Sequence, residues 1–538
     1  MDLVPSHIDF HLIITCRPND NAKLLAVVRA VRRQLYHNWR LSILLDGPPA
    51  KSLVSVIRHE SRIQVVPGAG DRFAVENDVA PTSVHGFVGF LDSSVVLEPD
   101  ALSWAALTIH QHPSTCWIYF DHVQVDSSTV DRLICKPAFS PEYLLSCMFT
   151  GPFNIFATEA IRRAGGIAGS PRHAAVYDLA LRVSELYPAT EIRHIPQFTY
   201  TAGPDSDQAA AERDEVFAIE RAFRRRGVPA TIHQVARDPR VYHPRFVTSP
   251  TSSIAVIIPT RNQTARLTRC IADARAATQY ADYHIVVIDN QSDDPGLLRY
   301  LNEGCARGEF GVEKFDEPFN YARMHNRVIG DLDCDYVILL NNDVYGFSAN
   351  WIEQMVGIAN LSSDIGCEGC LLRYPNGDTQ HGGVTFGIGR PCRHAHLGIA
   401  ASAPGYCGRL QAIQELSAST AALLLVRRSA FLHVGGFDEQ RFPVSFNDTD
   451  LCMKFRHHGY RVIYNPSVTA VHEEGISRGV SPLEDSWRRV FQAKWGETID
   501  DPFYNPHLSR HGFTCEDNET QFWKEKKRLA LATALKAA

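Results

Sequence analysis

The chain gives one folding instruction twice. Near residue 8, IDFHLIITCRPND is an apolar run ending in a polar turn; a helical pattern follows through Arg33, then WRLSILLDGPP ends at Asp46-Gly47. Near residue 254 the order returns: SIAVIIPTRNQ, a helical pattern to about Ala277, then YHIVVIDNQSDD with Asp289 at the strand end. Short apolar runs alternating with helical segments predict βαβ units and a mostly parallel sheet. Later landmarks keep step. HGFVGFLDSSV faces CDYVILLNNDV, setting Asp92 opposite Asn341 and Ser94 opposite Asp343. Gly165-Gly166 faces Gly435-Gly436, YDLALRV faces TDLCMKF, and IPQFTY faces NPSVTA. The spacing between matched words widens midway, which places an insertion in the middle of the second copy.

A length of 538 residues suits two large domains. The expectation is an α/β chain with one domain over 1–245, a second over 246–481 and a helical extension over 482–538. The linker is expected between Ala202 and Ser252, after a charged helical stretch. The balance of 54 basic and 60 acidic residues lacks the basic surplus expected of a nucleic-acid partner. Thirteen scattered cysteines read as buried thiols of a reducing compartment. The opening MDLVPSHIDFHLIITC has no basic n-region or small-residue cleavage site, and apolar runs fall short of the ~20 residues of a membrane span. These features predict a cytoplasmic protein whose membrane association, if any, is peripheral. The run Arg224-Arg225-Arg226 reads as a solvated helix end or an anionic-lipid contact.

Open parallel sheets bind ligands beyond the carboxyl ends of their strands, where the strand order reverses. The second copy places Asp289 and Asp343 at such ends, and Asp448 and Asp450 in a later helix. Asp343 ends VILLNND; a hard carboxylate there suits Mg²⁺ or Mn²⁺ bridging phosphates, or simply closes an Asx turn. FNDTDLCMKFRHHGYRV reads as a short helix stopped by Gly459. Asp448 at its start serves either as a cap or, with Asp450, as a general base with an orienting partner. His472, after the strand YNPSVTAVH, either completes a metal site with Asp343 or is structural.

The words VIIPTRN, VVIDNQSDD, FNYARMHN, ILLNNDV, YPNGDTQHGGV, HAHLG, LLLVRRSAF, VGGFDE, FNDTDLCMKFRHHGYRV and HEEGISRG run in that order over about residues 252 to 480. Together they resemble the inverting family-2 glycosyltransferases of the GT-A fold, in particular those of bacterial O-antigen and surface-polysaccharide assembly. The resemblance implies two tandem GT-A, Rossmann-like domains. It implies that Pro259, Thr260 and Asn262 line a nucleotide pocket with Asp289, which reads the base. Asn341-Asn342-Asp343 stands at the family's DXD position, with Asn341 replacing the first acid. Asp448 matches the catalytic base, Asp450 its neighbour, and His472 the histidine that approaches the metal. Gly435, Gly436, Phe437 and Asp438 match a segment bordering the acceptor sugar, and Arg478 a loop over the donor diphosphate. The implied reaction is Mn²⁺- or Mg²⁺-dependent transfer, with inversion, from a nucleotide diphosphate sugar to a polysaccharide or lipid-linked glycan.

The first copy departs from the pattern where chemistry is decided. Asp92-Ser93-Ser94 replaces the acidic motif, Val176 occupies the base position and Ala202 falls opposite His472. This implies a degenerate, non-catalytic domain that scaffolds or holds the acceptor, while Asp46 and Asp92 leave nucleotide binding open. The alternatives are a wholly non-catalytic glycan-binding or scaffold protein, or a nucleotidyltransferase; the latter should show a glycine-rich basic loop, which TRNQTARL is not. Cys367 and Cys370, with Cys392, His394 and His396, lack the compact four-ligand knuckle of a zinc site. No GxxxxGK or GxGxxG word is present. The oligomeric state stays open.

Overall fold

A computed structural model describes residues 7–16, 21–45, 47–67, 86–125, 132–167, 173–203, 208–246, 251–388, 391–473, 484–497, 499–509 and 512. They form two compact units, one from Met1–Ala222 with Asn505–Leu508, the other from Phe223–Tyr504 with Ser509–Thr514. Asp46 and Arg478 lie outside the described residues.

In the first unit the strands are β1 (Asp9–Cys16), β2 (Trp39–Leu45), β3 (Ile63–Pro67), β4 (Gly86–Asp92), β5 (Val95–Leu97), β6 (Trp117–Gln124), β7 (Arg132–Ile134), β8 (Asn154–Ala157) and β9 (Ile192–Ala202). Their order across the sheet is β3-β2-β1-β4-β8-β6-β9-β5, with β7 on β6. A hairpin follows, β10 (Ala230–Arg237) and β11 (Arg240–Phe246).

The second unit continues with β12 (Ile254–Thr260), β13 (Tyr283–Asp289), β14 (Gly311–Lys314), β15 (Tyr336–Leu340), β16 (Val344–Tyr345), β17 (Ile365–Arg373), β18 (Thr379–His381), β19 (Val384–Phe386), β20 (Cys392–His394), β21 (Gln414–Glu415), β22 (Leu423–Arg427) and β23 (Arg461–His472). Its main sheet runs β14-β13-β12-β15-β22-β17-β23-β16. Matched strand by strand, this is the order of the first sheet. β12 pairs in parallel with β13 and β15, as β1 does with β2 and β4. The later strands bring antiparallel pairs in both, β4 on β8 and β15 on β22. One Rossmann-like α/β fold is therefore used twice.

β12 shows why the apolar runs become central strands. Its Ile254, Val256 and Ile258 enter one core with Leu267, Cys270, Ile271 and Ala274 of the helix Thr264–Ala276. The alternate Ala255 and Ile257 enter the other core, with Tyr321, Met324, Leu451 and Phe455. A strand covered on both faces must be apolar at nearly every position, so it reads as a continuous run rather than an alternation.

Residues 230–246, within the stretch expected to be linker, are folded. Ala230 and Ile232 are buried while Thr231 and His233 are exposed, the period of two of a one-sided strand. His243 Nε2 donates to Gln411 O at 2.6 Å, tying the hairpin into the second unit. Every cysteine whose side chain is described is a free thiol, most of them buried. Cys367 and Cys370 lie inside β17, Cys367 facing Cys452 at 4.0 Å, and no group of three metal-ligating side chains occurs among the described residues. No described helix is long and apolar enough to cross a membrane.

Candidate active site

The chain runs outward from β12 through β13 to β14, then returns to β15 on the other side of β12. The carboxyl ends of β12, β13 and β15 therefore flank a point where strand order reverses, a ligand-binding crevice in such sheets. Register places Thr260 beside Asp289. Asn342 Nδ2 donates to Thr260 Oγ1 at 3.0 Å, joining the end of β12 to the segment after β15. Thr260 and Asp289 are buried, and Asp289 Oδ1 accepts from Ser292 N at 3.2 Å. Asn262 holds a left-handed backbone at φ 55. Its carboxamide donates to Asp293 Oδ1 at 2.9 Å and accepts from Asp293 N and Asp294 N at 3.1 and 3.0 Å. Short polar side chains tolerate that conformation when they bond locally. Pro259, Thr260, Asn262, Asp289, Asn341 and Asn342 thus share one edge.

Asp343 and His472 meet there as well. β16 pairs with the end of β23, Val344 opposite His472, and His472 Nε2 lies 3.3 Å from Asp343 Oδ1. Burial works to raise the Asp343 carboxyl, but the hydrogen bond and charge of His472, aided by Arg266, hold it below the usual carboxylate range. Arg266 and Arg269 also pair with Glu473, at 3.4 and 3.6 Å.

The first unit supplies the contrast. Its register puts Ala202 opposite Val95, the place His472 takes opposite Val344. Asp92 is exposed and closes an Asx turn, accepting from Ser94 N at 2.6 Å and Ser94 Oγ at 2.5 Å.

Asp448 reaches the same edge from the helix Asn447–His457. Its Oδ2 accepts from Ala421 N at 3.2 Å, and the adjacent Ala422 O accepts from Asn341 N at 2.9 Å. Two peptide units thus link Asp448 to the Asn341–Asp343 turn. Its Oδ1 accepts from Thr449 N at 2.7 Å, its own helix's first turn.

The remaining candidates face elsewhere. Asp450 is fully buried, with Oδ1 accepting from Trp495 Nε1 at 2.8 Å and paired to Lys494 Nζ at 2.7 Å. Burial pushes its carboxyl above the usual range despite both partners. The sequence pairs it with Asp448 as orienting partner; the structure directs it away, because a carboxylate two positions on points to a different side of a helix. Phe437 is buried with Tyr321, His325 and Phe431, so it packs the core instead of facing a sugar. Asp438 pairs with Lys494 at 3.1 Å. Gly435 and Gly436 turn with φ 76 and 61.

Three positions carried no assigned role in the sequence. Asn326 binds both main-chain atoms of Phe437, accepting from N at 2.8 Å and donating to O at 2.9 Å, and so fixes the Gly435–Asp438 turn. His381 is fully buried, its Nε2 2.9 Å from Ser419 Oγ, with burial and the nearby His394 and His472 holding it well below the usual histidine range. Arg266 is the third. Asn326 and His381 lie inside the words FNYARMHN and TQHGGV, a signal of position but not of partner.

The family described as Glycosyl transferase family 2 matches residues 255–380. That stretch lies within the second unit and is what the chain shares with the family. Along the whole chain, similarity extends to the uncharacterized protein y4gI of Sinorhizobium fredii, 29% identical over 91% of this chain and 56% of that protein. The O-antigen biosynthesis protein RfbC of Myxococcus xanthus is 27% identical over 94% of this chain and 40% of its own length. The chain thus spans about half the length of these relatives. Among solved structures, GalNAc-T7 with UDP, GalNAc and Mn²⁺ aligns at 17% identity over 48% of this chain and 50% of its own, with a TM-score of 0.40.

Proposed function

We propose that the second unit transfers a sugar from a nucleoside diphosphate sugar to a hydroxyl of a polysaccharide or lipid-linked glycan, with inversion. One observation carries the reading: Asp343, His472 and Asp448 share the carboxyl edge at which Thr260 and Asp289 lie side by side at the ends of β12 and β13. The similarity of 94% of this chain to 40% of an O-antigen biosynthesis protein supports a surface-polysaccharide acceptor.

In this reading Asp289 and Thr260 receive the nucleoside, with Pro259, Asn262, Asn341 and Asn342 shaping the pocket. Asp448 takes the proton of the acceptor hydroxyl as that oxygen attacks the anomeric carbon. The diphosphate departs from the opposite face, so configuration inverts in one displacement. Gly435, Gly436, Phe437 and Asp438 set the acceptor side through the position of their turn, and Asp450 supports the helix from behind.

The residues fit a divalent cation. Asp343 supplies a carboxylate, and His472 turns Nε2 toward it at 3.3 Å, a nitrogen and an oxygen donor that would hold one ion between them. Two protein ligands suffice where phosphate oxygens and water complete the shell. When bound, Mn²⁺ or Mg²⁺ would neutralise charge on the departing diphosphate. The first unit, with Val176, Ala202 and a self-closed Asp92 turn, lacks each of these parts and is read as a non-catalytic copy.

A thermal-shift screen of nucleotide sugars with Mn²⁺ and Mg²⁺ identifies the donor, since a bound ligand raises stability by mass action. With that donor, Asp448→Asn is expected to lower turnover by about 10²–10⁴-fold, the usual worth of a general base, while donor affinity holds. Near-normal turnover in this variant would refute the assignment.

A further inference from the structure

We propose that the helix Glu484–Trp495 positions the catalytic base, acting through Lys494 and Trp495 on the buried Asp450; this rests on Asp448 being the base. A single ammonium joins three elements. Lys494 Nζ lies 2.7 Å from Asp450 Oδ1 in the helix Asn447–His457 and 3.1 Å from Asp438 Oδ2 in the turn before it. Trp495 Nε1 donates to the same Asp450 oxygen at 2.8 Å. Asp450 is one helical step beyond the residue that holds Asp448 Oδ1, so fixing it fixes the rotation of the first turn.

The same helix secures the residue at which that turn begins. Phe446 caps the Asn447–His457 helix with a left-handed backbone, φ 60. A bulky aromatic residue adopts that conformation only where its surroundings impose it. Phe491, one turn before Lys494, packs against Phe446 with centroids 5.3 Å apart and against Phe442 at 6.0 Å.

The duplicated fold provides independent support. In the first unit the matching Asp178 is also buried, but its cation is Arg182 of its own helix, 3.0 Å away. Arg182 additionally donates to Gly166 O at 2.7 Å. In the second unit these tasks are divided. Lys454, at the position of Arg182, donates to Gly436 O, while Asp450 is taken by a separate helix. In the copy with a base, the buried aspartate is tied to the Glu484–Trp495 helix.

The test uses the full chain. In Lys494→Met, amide hydrogen exchange of residues 446–452 is expected to speed up and nucleoside diphosphate release per folded molecule to fall about 10–100-fold, the scale of an ångström of misplacement. Donor affinity, measured by calorimetry with the nucleotide sugar chosen by the thermal-shift screen, should change less than about twofold, because the pocket groups are untouched. Lys494→Arg should restore exchange and turnover. Trp495→Phe, which removes one hydrogen bond and keeps the ring, should give a smaller effect in the same direction. Unchanged exchange and turnover in Lys494→Met, or turnover lost only in proportion to folded protein, overturns the proposal. Full activity in Asp448→Asn would instead overturn the reading beneath it.

Discussion

Acidification should destabilise the second unit through a histidine that the fold keeps neutral. His325 lies in the helix Tyr321–Asp331 with no exposed surface. Its Nδ1 donates to Tyr321 O at 2.7 Å, and its Nε2 has no hydrogen-bond partner among the described residues. The rings of Tyr321 and Phe437 enclose it. Burial lowers it from 6.5 to about 4, only partly offset by the Tyr321 carbonyl. The native state thus binds fewer protons than the unfolded chain between these values. Stability is complete above pH 6.5 and falls as pH drops toward 4. At 1.36 kcal/mol per pKa unit, His325 alone removes about 2 kcal/mol by pH 5.

His243 and His396, lowered to about 4 and about 3 by burial, act in the same direction. Asp450 and Asp501, raised by burial, work against them. The His325 share is isolated by comparison. Urea unfolding at pH 7.5 and 5.0, followed by tryptophan fluorescence, gives the acid-induced loss for the wild type and for His325→Leu. The loss should be smaller in the variant by about 2 kcal/mol. Equal losses in the two proteins would refute the assignment of a neutral buried imidazole.

Two further perturbations address the site. Asp343→Ala should abolish the Mn²⁺-dependent part of donor binding in calorimetry while leaving metal-free nucleotide binding nearly unchanged; a variant that keeps the full metal response would rule out Asp343 as a ligand. Asn326→Ala strips Phe437 of both main-chain partners and should cost about 2 kcal/mol in urea unfolding, since buried polar groups left unpaired cost about 1–3 kcal/mol. A cost below about 0.5 kcal/mol would show that the turn at Gly435-Gly436 holds itself.

Strand ends were the most legible part of the site. Asp289 and Asp343 follow continuous apolar runs, so their position at the carboxyl edge follows from chain direction alone. The duplication was legible too: the alignment that set Ala202 opposite His472 reappears as sheet register, Val95 with Ala202 and Val344 with His472. Partners distant in sequence were not. Nothing near Asp450 announces Trp495 or Lys494, because a buried ion pair between helices leaves no periodicity. Asn326 and Phe437 are equally remote. The hairpin at 230–246 was obscured by composition, since a half-exposed two-stranded ribbon carries the polar residues of a loop.

The paired sheets give this molecule an internal reference. A residue kept in both copies, such as the buried aspartate at 178 and 450, is what the architecture asks for. A residue that differs between the copies, such as His472 where the first has Ala202, is one the architecture does not require. Each position of the second sheet can thus be compared with a counterpart that has the same strand order and a different side chain.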